Sequence, residues 1–147
     1  VAGPACGGCL QAFPLVDGGC PAAAVLAYGG LLMCGVTTLA DLSSVSPWWL
    51  DLIARSGLRG FIAPGFASSR WYMDSFHELK FNWNEQAGRK TFDEAVKFMA
   101  QAESHPSKRL QGVIYLMQFD TCSEDLLRRC VAVAEATNRP NPTPVSQ

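Results

Sequence analysis

Few side chains in this sequence could carry out chemistry, and they are spread along the chain. Cys6-Gly-Gly-Cys9 has the C-x-x-C spacing of a zinc knuckle or a redox pair. A structural zinc site needs four ligands, and no second C-x-x-C follows. A thioredoxin-type pair follows a strand, whereas residues 1–5 are interrupted by Gly and Pro. Metal or redox chemistry at Cys6 and Cys9 is therefore the lesser alternative.

The remaining reactive residues also fall short of a complete catalytic set. The only histidines are His77, in an aromatic segment, and His105, which precedes a proline and is interpreted as a solvated turn residue. A hydrolytic metal site needs three or four converging His and carboxylate ligands, so no metal is expected in this chain alone. No nucleophile elbow, Walker sequence or glycine-rich dinucleotide turn occurs. The other cysteines, Cys34, Cys122 and Cys130, are interpreted as small buried apolar residues.

Composition indicates one globular unit. The 147 residues carry 12 Lys and Arg against 13 Asp and Glu, and 48% are hydrophobic. The absence of a basic stripe argues against a nucleic-acid partner. The longest apolar run, residues 22–36, contains three glycines and is shorter than the roughly 20 residues of a membrane span, so it predicts a buried helix. Cysteine usage fits a reducing, cytoplasmic compartment.

Helix and strand signals alternate from Pro21 onward. Glycines at 35 and 57 predict helix ends, and Thr91 and Thr121 each open a capping-box pattern. Predicted helices cover 21–34, 47–56, 91–103 and a segment from 121. Predicted strands cover 36–41, 58–63, 110–117 and 143–146. Residues 67–89 show no regular pattern.

Short apolar strands that are each joined by a helix predict an α/β fold with parallel pairing. Residues 1–20 are predicted to be irregular, and residues 21–147 to form one segment. Both a doubly wound open sheet and an arc of a (β/α) barrel fit this order. A complete barrel needs about 250 residues, so this chain would supply less than half of one.

In both architectures ligands bind at the carboxyl ends of the strands. This rule selects Asp41 after the first strand and Gln118 after the third as candidate substrate-binding residues. The aromatic segment after the second strand adds Trp71 and His77, with Asn82 and Glu85 as further polar candidates. Two alternatives stay open: the polar residues are ordinary caps, and the aromatic residues extend the core by packing on helix 91–103.

Three segments resemble one protein family. Leu31 to Asp41 (LLMCGVTTLAD) is similar to the "sGvTTvaD" segment of the amidohydrolase superfamily, in its cytosine deaminase and chlorohydrolase branch. Ile53 to Gly60 resembles the "a..sGlRa" step, and Thr121 to Arg128 resembles the "TCs.elLr" segment. They occur in the family's order and span about residues 21–147, which corresponds to strands two to five of the barrel.

The resemblance implies a partial TIM barrel from an enzyme that hydrolyses non-peptide C–N bonds, or sometimes C–Cl bonds, with a Zn- or Fe-activated water. The ligand set it implies is not found here. Residues 1–20 contain no histidine, although an H-x-H is expected there, and Pro144 occupies the position of the histidine after strand five. Asp41 would end barrel strand two, at the rim but outside the ligand set. The fragment alone is expected to be inactive.

Two other function classes remain. The chain could be a degenerate, non-catalytic copy that acts as a binding or structural module, or an open-sheet cofactor-binding domain, although the latter lacks a phosphate-binding turn. In a complete enzyme the partner would be a small-molecule substrate, with no nucleic acid or membrane. A partial barrel would also leave two strand edges unpaired, which predicts self-association.

Overall fold

A computed structural model of the chain describes residues 19–43, 45–75, 78–116 and 118–137. The helices are α1 (Gly19–Met33), α2 (Trp49–Ser56), α3 (Glu85–Ser104) and α4 (Glu124–Thr137), with a 3-10 turn at Phe119–Thr121. The strands are β1 (Thr38–Asp41), β2 (Arg59–Ile62), β3 (Gly65–Phe66), β4 (Ser69–Ser75), β5 (Glu78–Trp83), β6 (Leu110–Gly112) and β7 (Tyr115–Leu116).

The main sheet contains three parallel strands in sequence order, β1-β2-β6. Thr38 pairs with Arg59, and Gly60 pairs with Leu110, so corresponding strand ends lie at the same edge. The predicted parallel pairing of the first three strands is confirmed. The predicted fourth strand, at 143–146, lies outside the described residues, as do residues 1–18.

The second and third predicted strands are each divided in two. β2 is followed by Ala63 and Pro64 and resumes as β3, which pairs in parallel with β7. Pro64 has no N–H to donate to a neighbouring strand, so ladder pairing is interrupted there. The Val113 amide still donates to the Ile62 carbonyl at 2.9 Å, and this bond keeps the β2–β6 pair aligned with the β3–β7 pair.

Helices cover one face of the main sheet. Side chains at alternate strand positions, including Ile62 and Leu110, are buried with α2 and α3. The opposite face exposes Phe61, with 38% of its surface accessible, and Gln111 beside it. The described strands form sheets of three, two and two strands, so the barrel itself remains a prediction.

Two hydrophobic clusters hold the elements together. One joins α1, α2, α3 and the main sheet, and in it the rings of Trp49 and Phe98 stack at 5.4 Å. The other joins α3, α4 and the β3–β7 pair, and in it Phe66 meets Phe92 edge-on at 4.9 Å. Helix α3 contributes to both clusters, and it therefore couples the two halves of the described structure.

The predicted helix ends are confirmed, since Gly35 and Gly57 have left-handed φ angles of 80° and 89°. The two predicted capping boxes are wrong. Helix α3 begins earlier, because the Asn84 side chain accepts the Ala87 amide at 2.9 Å. Thr91 lies within this helix, and its hydroxyl donates to the carbonyl of Ala87, one turn back.

The cap of α4 also differs from the prediction. The hydroxyl of Ser123 accepts the amide of Leu126 at 3.4 Å, so Ser123 caps this helix. Thr121 instead donates its hydroxyl to the carbonyl of Gln118 and is buried in the 3-10 turn. Side-chain oxygens occur at both positions, and tertiary packing decides which of them reaches the helix amides.

The segment predicted to be irregular, residues 67–89, is largely regular over its described residues, 67–75 and 78–89. It forms the antiparallel hairpin β4–β5 and the first turns of α3. The alternation of β5, Glu-Leu-Lys-Phe-Asn-Trp, is a period-two signal that the prediction missed. In β4 the exposed Tyr72 stands at a polar position and obscures the same alternation.

Two smaller predictions are corrected. Cys34 is exposed, whereas Cys122 and Cys130 are buried as predicted. His105 is not a solvated turn residue, because only 16% of its side chain is accessible and its ring bonds to Ser107 at 2.9 Å and Asp51 at 3.2 Å. No helix among the described residues is long and apolar enough to cross a membrane.

We expect Gly112→Ala to destabilise the protein by about 1–3 kcal/mol, because a methyl group there overpacks the core. Its Cβ would lie 2.6 Å from the Cβ of Met99 and 3.1 Å from the Met99 carbonyl oxygen. Gly30→Ala is the control, since a Cβ at Gly30 meets nothing within 4 Å and alanine favours the helix. Urea unfolding of both variants checks this, and equal stabilities would contradict the close β6–α3 packing.

Candidate functional site

Asp41 ends β1, and its carboxylate joins three elements. Oδ2 accepts the Tyr28 hydroxyl of α1 at 2.6 Å and the Trp49 indole N–H of α2 at 2.8 Å. Oδ1 accepts the Ser43 hydroxyl at 2.8 Å. A carboxylate has about four acceptor positions, so these bonds occupy most of its capacity. Asp41 thus serves first as an anchor between β1 and two helices.

The environment of Asp41 also affects Tyr28. Burial, followed by the hydrogen bond and negative charge of Asp41, raises the pKa of the Tyr28 phenol well above its ordinary value. Tyr28 is 6% exposed and Trp49 only 1%, so both donors depend on Asp41 for a partner. The Asp41 side chain is directed to the helices and away from the sheet face that exposes Phe61.

Trp71 and Gln118, two predicted site residues, lie in contact although they are 47 positions apart. The Trp71 indole N–H donates to the Gln118 side-chain oxygen at 3.0 Å. Trp71 is on β4, which emerges beyond β3, and Gln118 follows β7. Because β3 and β7 are parallel neighbours, their carboxyl ends bring these side chains together. Both are at least partly exposed.

The hairpin β4–β5 has two chemically different faces, because directly paired residues point to the same side. Its paired positions, such as Trp71 with Phe81 and Met73 with Leu79, assign each residue to a face. One face, here called the apolar hairpin face, consists of Trp71, Met73, Leu79, Phe81 and Trp83. The other, the polar hairpin face, includes Arg70, Tyr72, Glu78, Lys80 and Asn82. None of the apolar face residues belongs to either hydrophobic cluster.

The base of the hairpin is fixed by Ser68. Its amide donates to the Thr121 carbonyl at 2.9 Å, and its carbonyl accepts the Asn84 amide at 2.7 Å. Its hydroxyl lies 3.3 Å from that of Ser123. Helix α3 approaches so closely that a Cβ at Gly88 would lie 2.8 Å from the Ser68 Cα. The hairpin is therefore held from both sides and does not depend on its own apolar face for attachment.

The two buried thiols near this base are poor nucleophiles. Burial raises the pKa of Cys122, and burial together with the charge of Cys122 raises the pKa of Cys130 to about 11. Both groups are thus protonated at neutral pH, and the thiolate is the reactive form. Neither cysteine fits the role of a catalytic nucleophile.

A cleft of about 360 Å³ opens at the other end of the main sheet. It is lined by the first residues of β1, β2 and β6 and by Lys108 and Arg109. The Arg109 guanidinium is already bonded to the Ala54 carbonyl at 2.5 Å. Ligands of (β/α) proteins bind at the carboxyl ends of the strands, so this amino-end cleft is not the candidate site.

The other predicted site residues lie in different places. His77 is outside the described residues. Asn82 is on the polar hairpin face, and Glu85 accepts the Ser123 hydroxyl at 2.7 Å. Within the described ranges, no group of three or more His, Cys, Asp or Glu side chains could hold a metal ion. These residues therefore do not fit a catalytic Zn or Fe.

No protein-family model matches the sequence, and no curated protein matches it significantly.

We expect Asp41→Ala to lower the free energy of unfolding by about 3 kcal/mol, because Tyr28 and Trp49 lose their buried acceptor. Asp41→Asn keeps one acceptor oxygen, so it is expected to cost about 1 kcal/mol, clearly less than Asp41→Ala. Ser43→Ala is the control, since its bond to Asp41 is exposed. Denaturant unfolding measures all three, and equal stabilities of Asp41→Ala and Ser43→Ala would contradict the anchoring role.

Alkaline titration provides a second check on this cluster. Folding raises the pKa of Tyr28, so its phenol ionises at a lower pH in the unfolded chain than in the folded one. The contribution of Tyr28 to the free energy of unfolding is therefore fully present below about pH 10 and is lost as the pH rises further. Tyr28→Phe should be less stable at pH 7 and should lose less stability between about pH 9 and 11. Unfolding free energies measured across this range test the expectation. An identical pH slope in both proteins would contradict it.

Proposed function

We propose that this chain is a segment of a metal-dependent amidohydrolase-like (β/α) barrel that hydrolyses C–N bonds of a small molecule. The barrel part of the proposal is supported by the sequential order of three parallel strands with helices on one face. The hydrolase part rests on the resemblance of residues 31–41, 53–60 and 121–128 to the amidohydrolase segments. A complete doubly wound sheet has helices on both faces and a reversal of strand order, although one of its halves has the same order of three strands. Strands added in one direction under an outer helix layer are the arrangement of a barrel wall.

The open side of β1 supports the same proposal. Among the described strands β1 is paired only with β2, and no proline or lysine protects its other edge. The adjacent helix α1 contains no charged residue, and Leu26 and Met33 are 78% and 91% exposed. Helices that are apolar on all sides are normally buried. Further barrel elements packed beside β1 and α1 would cover both surfaces.

In this proposal the described residues provide one wall of the substrate pocket. Trp71 and Gln118 meet beyond the carboxyl ends of β3 and β7, where a barrel opens to substrate. The indole offers an apolar surface, and the amide group of Gln118 keeps hydrogen-bonding capacity after accepting from it. Since the described residues do not fit a metal, the metal chemistry is assigned to other parts of the barrel.

A non-catalytic binding module is the second candidate. The observation that favours it is the apolar hairpin face, which stays outside both cores on a rigid support. Exposed apolar surfaces of this kind mark interaction sites. A module of this type would keep the Trp71–Gln118 contact and need no metal.

The test is made on the complete product of the gene that encodes this chain, with the 147-residue chain alongside. We expect the complete product to retain zinc or iron after dialysis and to release ammonia or an amine from small aminated compounds. Trp71→Ala should raise its KM about tenfold, which corresponds to about 1.4 kcal/mol of lost binding, without lowering Tm. Tyr72→Ala, on the polar hairpin face, is the matched control and should leave KM unchanged.

Two outcomes contradict the proposal. A complete product that holds no metal and releases no amine would reject the hydrolase and leave the binding module. An active enzyme in which Trp71→Ala lowers Tm but leaves KM unaltered would reject the role of Trp71 in the pocket wall and would leave the hydrolase proposal intact.

A further inference from the structure

We infer that strand β5 is the docking edge for a second copy of this chain, which pairs with it antiparallel about a twofold axis at Phe81. The inference rests on the hairpin and does not depend on the proposed hydrolase activity. In the described structure β5 is bonded to β4 on one side only, so its other backbone edge is available. An unpaired strand edge is a template for another strand.

The side chains on β5 favour this pairing. Leu79 and Trp83 are 50% and 49% exposed, although they share the apolar hairpin face with Phe81. The rings of Phe81 and Trp83 stack with centroids 6.2 Å apart, which orders them before any partner arrives. Ordered side chains lose less conformational entropy on binding. The strand contains no proline or glycine that would interrupt a new ladder.

The register in which two copies of β5 pair determines where the twofold axis lies. Directly opposed residues in an antiparallel pair share a face, so two copies of β5 match their faces only when the axis passes through a residue. An axis at Lys80 would place two ammonium groups opposite each other, which is unfavourable. An axis at Leu79 would leave Trp83 without an opposed residue on the partner's β5, and an axis at Asn82 would do the same to Leu79. An axis at Phe81 places Leu79 opposite the partner's Trp83 and Lys80 opposite the partner's Asn82. Apolar groups then meet apolar groups, and no like charges are opposed.

A second copy fits this edge better than an unrelated charged partner. A twofold contact requires a surface that is complementary to itself, and the β5 residues on the apolar hairpin face carry no charge. Lys80 is engaged with Glu78 of its own strand at 3.5 Å. Aromatic residues are enriched at such contacts. Trp71 lies on the far strand of the hairpin, so pairing through β5 leaves its contact with Gln118 intact.

The size of the contact indicates a reversible dimer. Aromatic side chains bury about 150–250 Å² each when fully covered; on β5 Leu79 and Trp83 are half-exposed, and Phe81 is partly buried. Leu79, Phe81, Trp83 and the strand edge together give roughly 400 Å² per copy, about half of what a standard stable interface buries. We therefore expect the monomer to predominate at about 1 µM and the dimer to be detectable at about 100 µM.

Sedimentation velocity of the full chain over this concentration range tests the dimer. Phe81→Lys should abolish the concentration dependence by placing two positive charges on the axis. Tyr72→Lys adds the same charge on the polar hairpin face of β4 and should dimerise like the wild type. Circular dichroism confirms that both variants are folded. A wild-type chain that is monomeric throughout, or equal dimerisation of both variants, overturns the inference.

Cysteine crosslinking tests the register even if Phe81→Lys fails to fold. Opposed residues on the axis have Cα atoms about 4.5–5.5 Å apart, which lies within the range that a disulfide spans. Phe81→Cys should therefore form a covalent dimer on mild oxidation, above the background of the wild-type cysteines. Leu79→Cys is the control, since its two copies would be about 13 Å apart along the paired strands. Equal crosslinking at both positions, or none at Phe81→Cys, overturns the twofold pairing.

Discussion

The carboxylate of Asp41 is the interaction on which the first half of this structure depends. It ends β1 and receives hydrogen bonds from α1 and α2, so one side chain fixes two helices against one strand. Both donors are buried, and each would lose a partner that no water could replace at low cost. Trp49 also stacks on Phe98, so its position fixes the packing of α3, a helix that contributes to both hydrophobic clusters.

A second constraint positions the candidate site. Ser68 is bonded through its amide, its carbonyl and its hydroxyl, and α3 approaches it so closely that Gly88 has no room for a side chain. The hairpin is thereby held beyond β3 without packing its apolar face on the core. This support explains how Trp71 reaches Gln118 and why the residues of β5 remain exposed. The same base therefore holds both Trp71 on β4 and the neighbouring strand β5.

The two ends of the main sheet differ in character. The amino end has a cleft whose charged lining residues are Arg59, Glu103, Lys108 and Arg109, and Arg109 is bonded there to the Ala54 carbonyl of α2. Beyond the carboxyl ends, the Trp71 indole contacts the Gln118 amide, and the Asp41 carboxylate at the end of β1 is bonded to the helices.

Much of the fold could be predicted from the sequence, because the signals are local. Gly35 and Gly57 end helices since only glycine adopts positive φ without strain, and short apolar strands joined by helices lead to parallel pairing. The choice of Asn84 and Ser123 over two equally good capping residues was not predictable, because it depends on which hydroxyl or amide the packed helix can reach.

The candidate site was also predictable from the sequence only in part. The rule that ligands bind at strand carboxyl ends identified Trp71 and Gln118, but their contact spans 47 positions and requires β3 and β7 to be neighbours. Asp41 was identified by the same rule, whereas the direction of its side chain was decided by two buried donors from elsewhere in the chain. The sequence by itself determined which elements form and where they end, since helix caps and alternation act within a few residues. Only the tertiary structure decided which polar groups meet, because each buried donor must find an acceptor among residues that folding brings near.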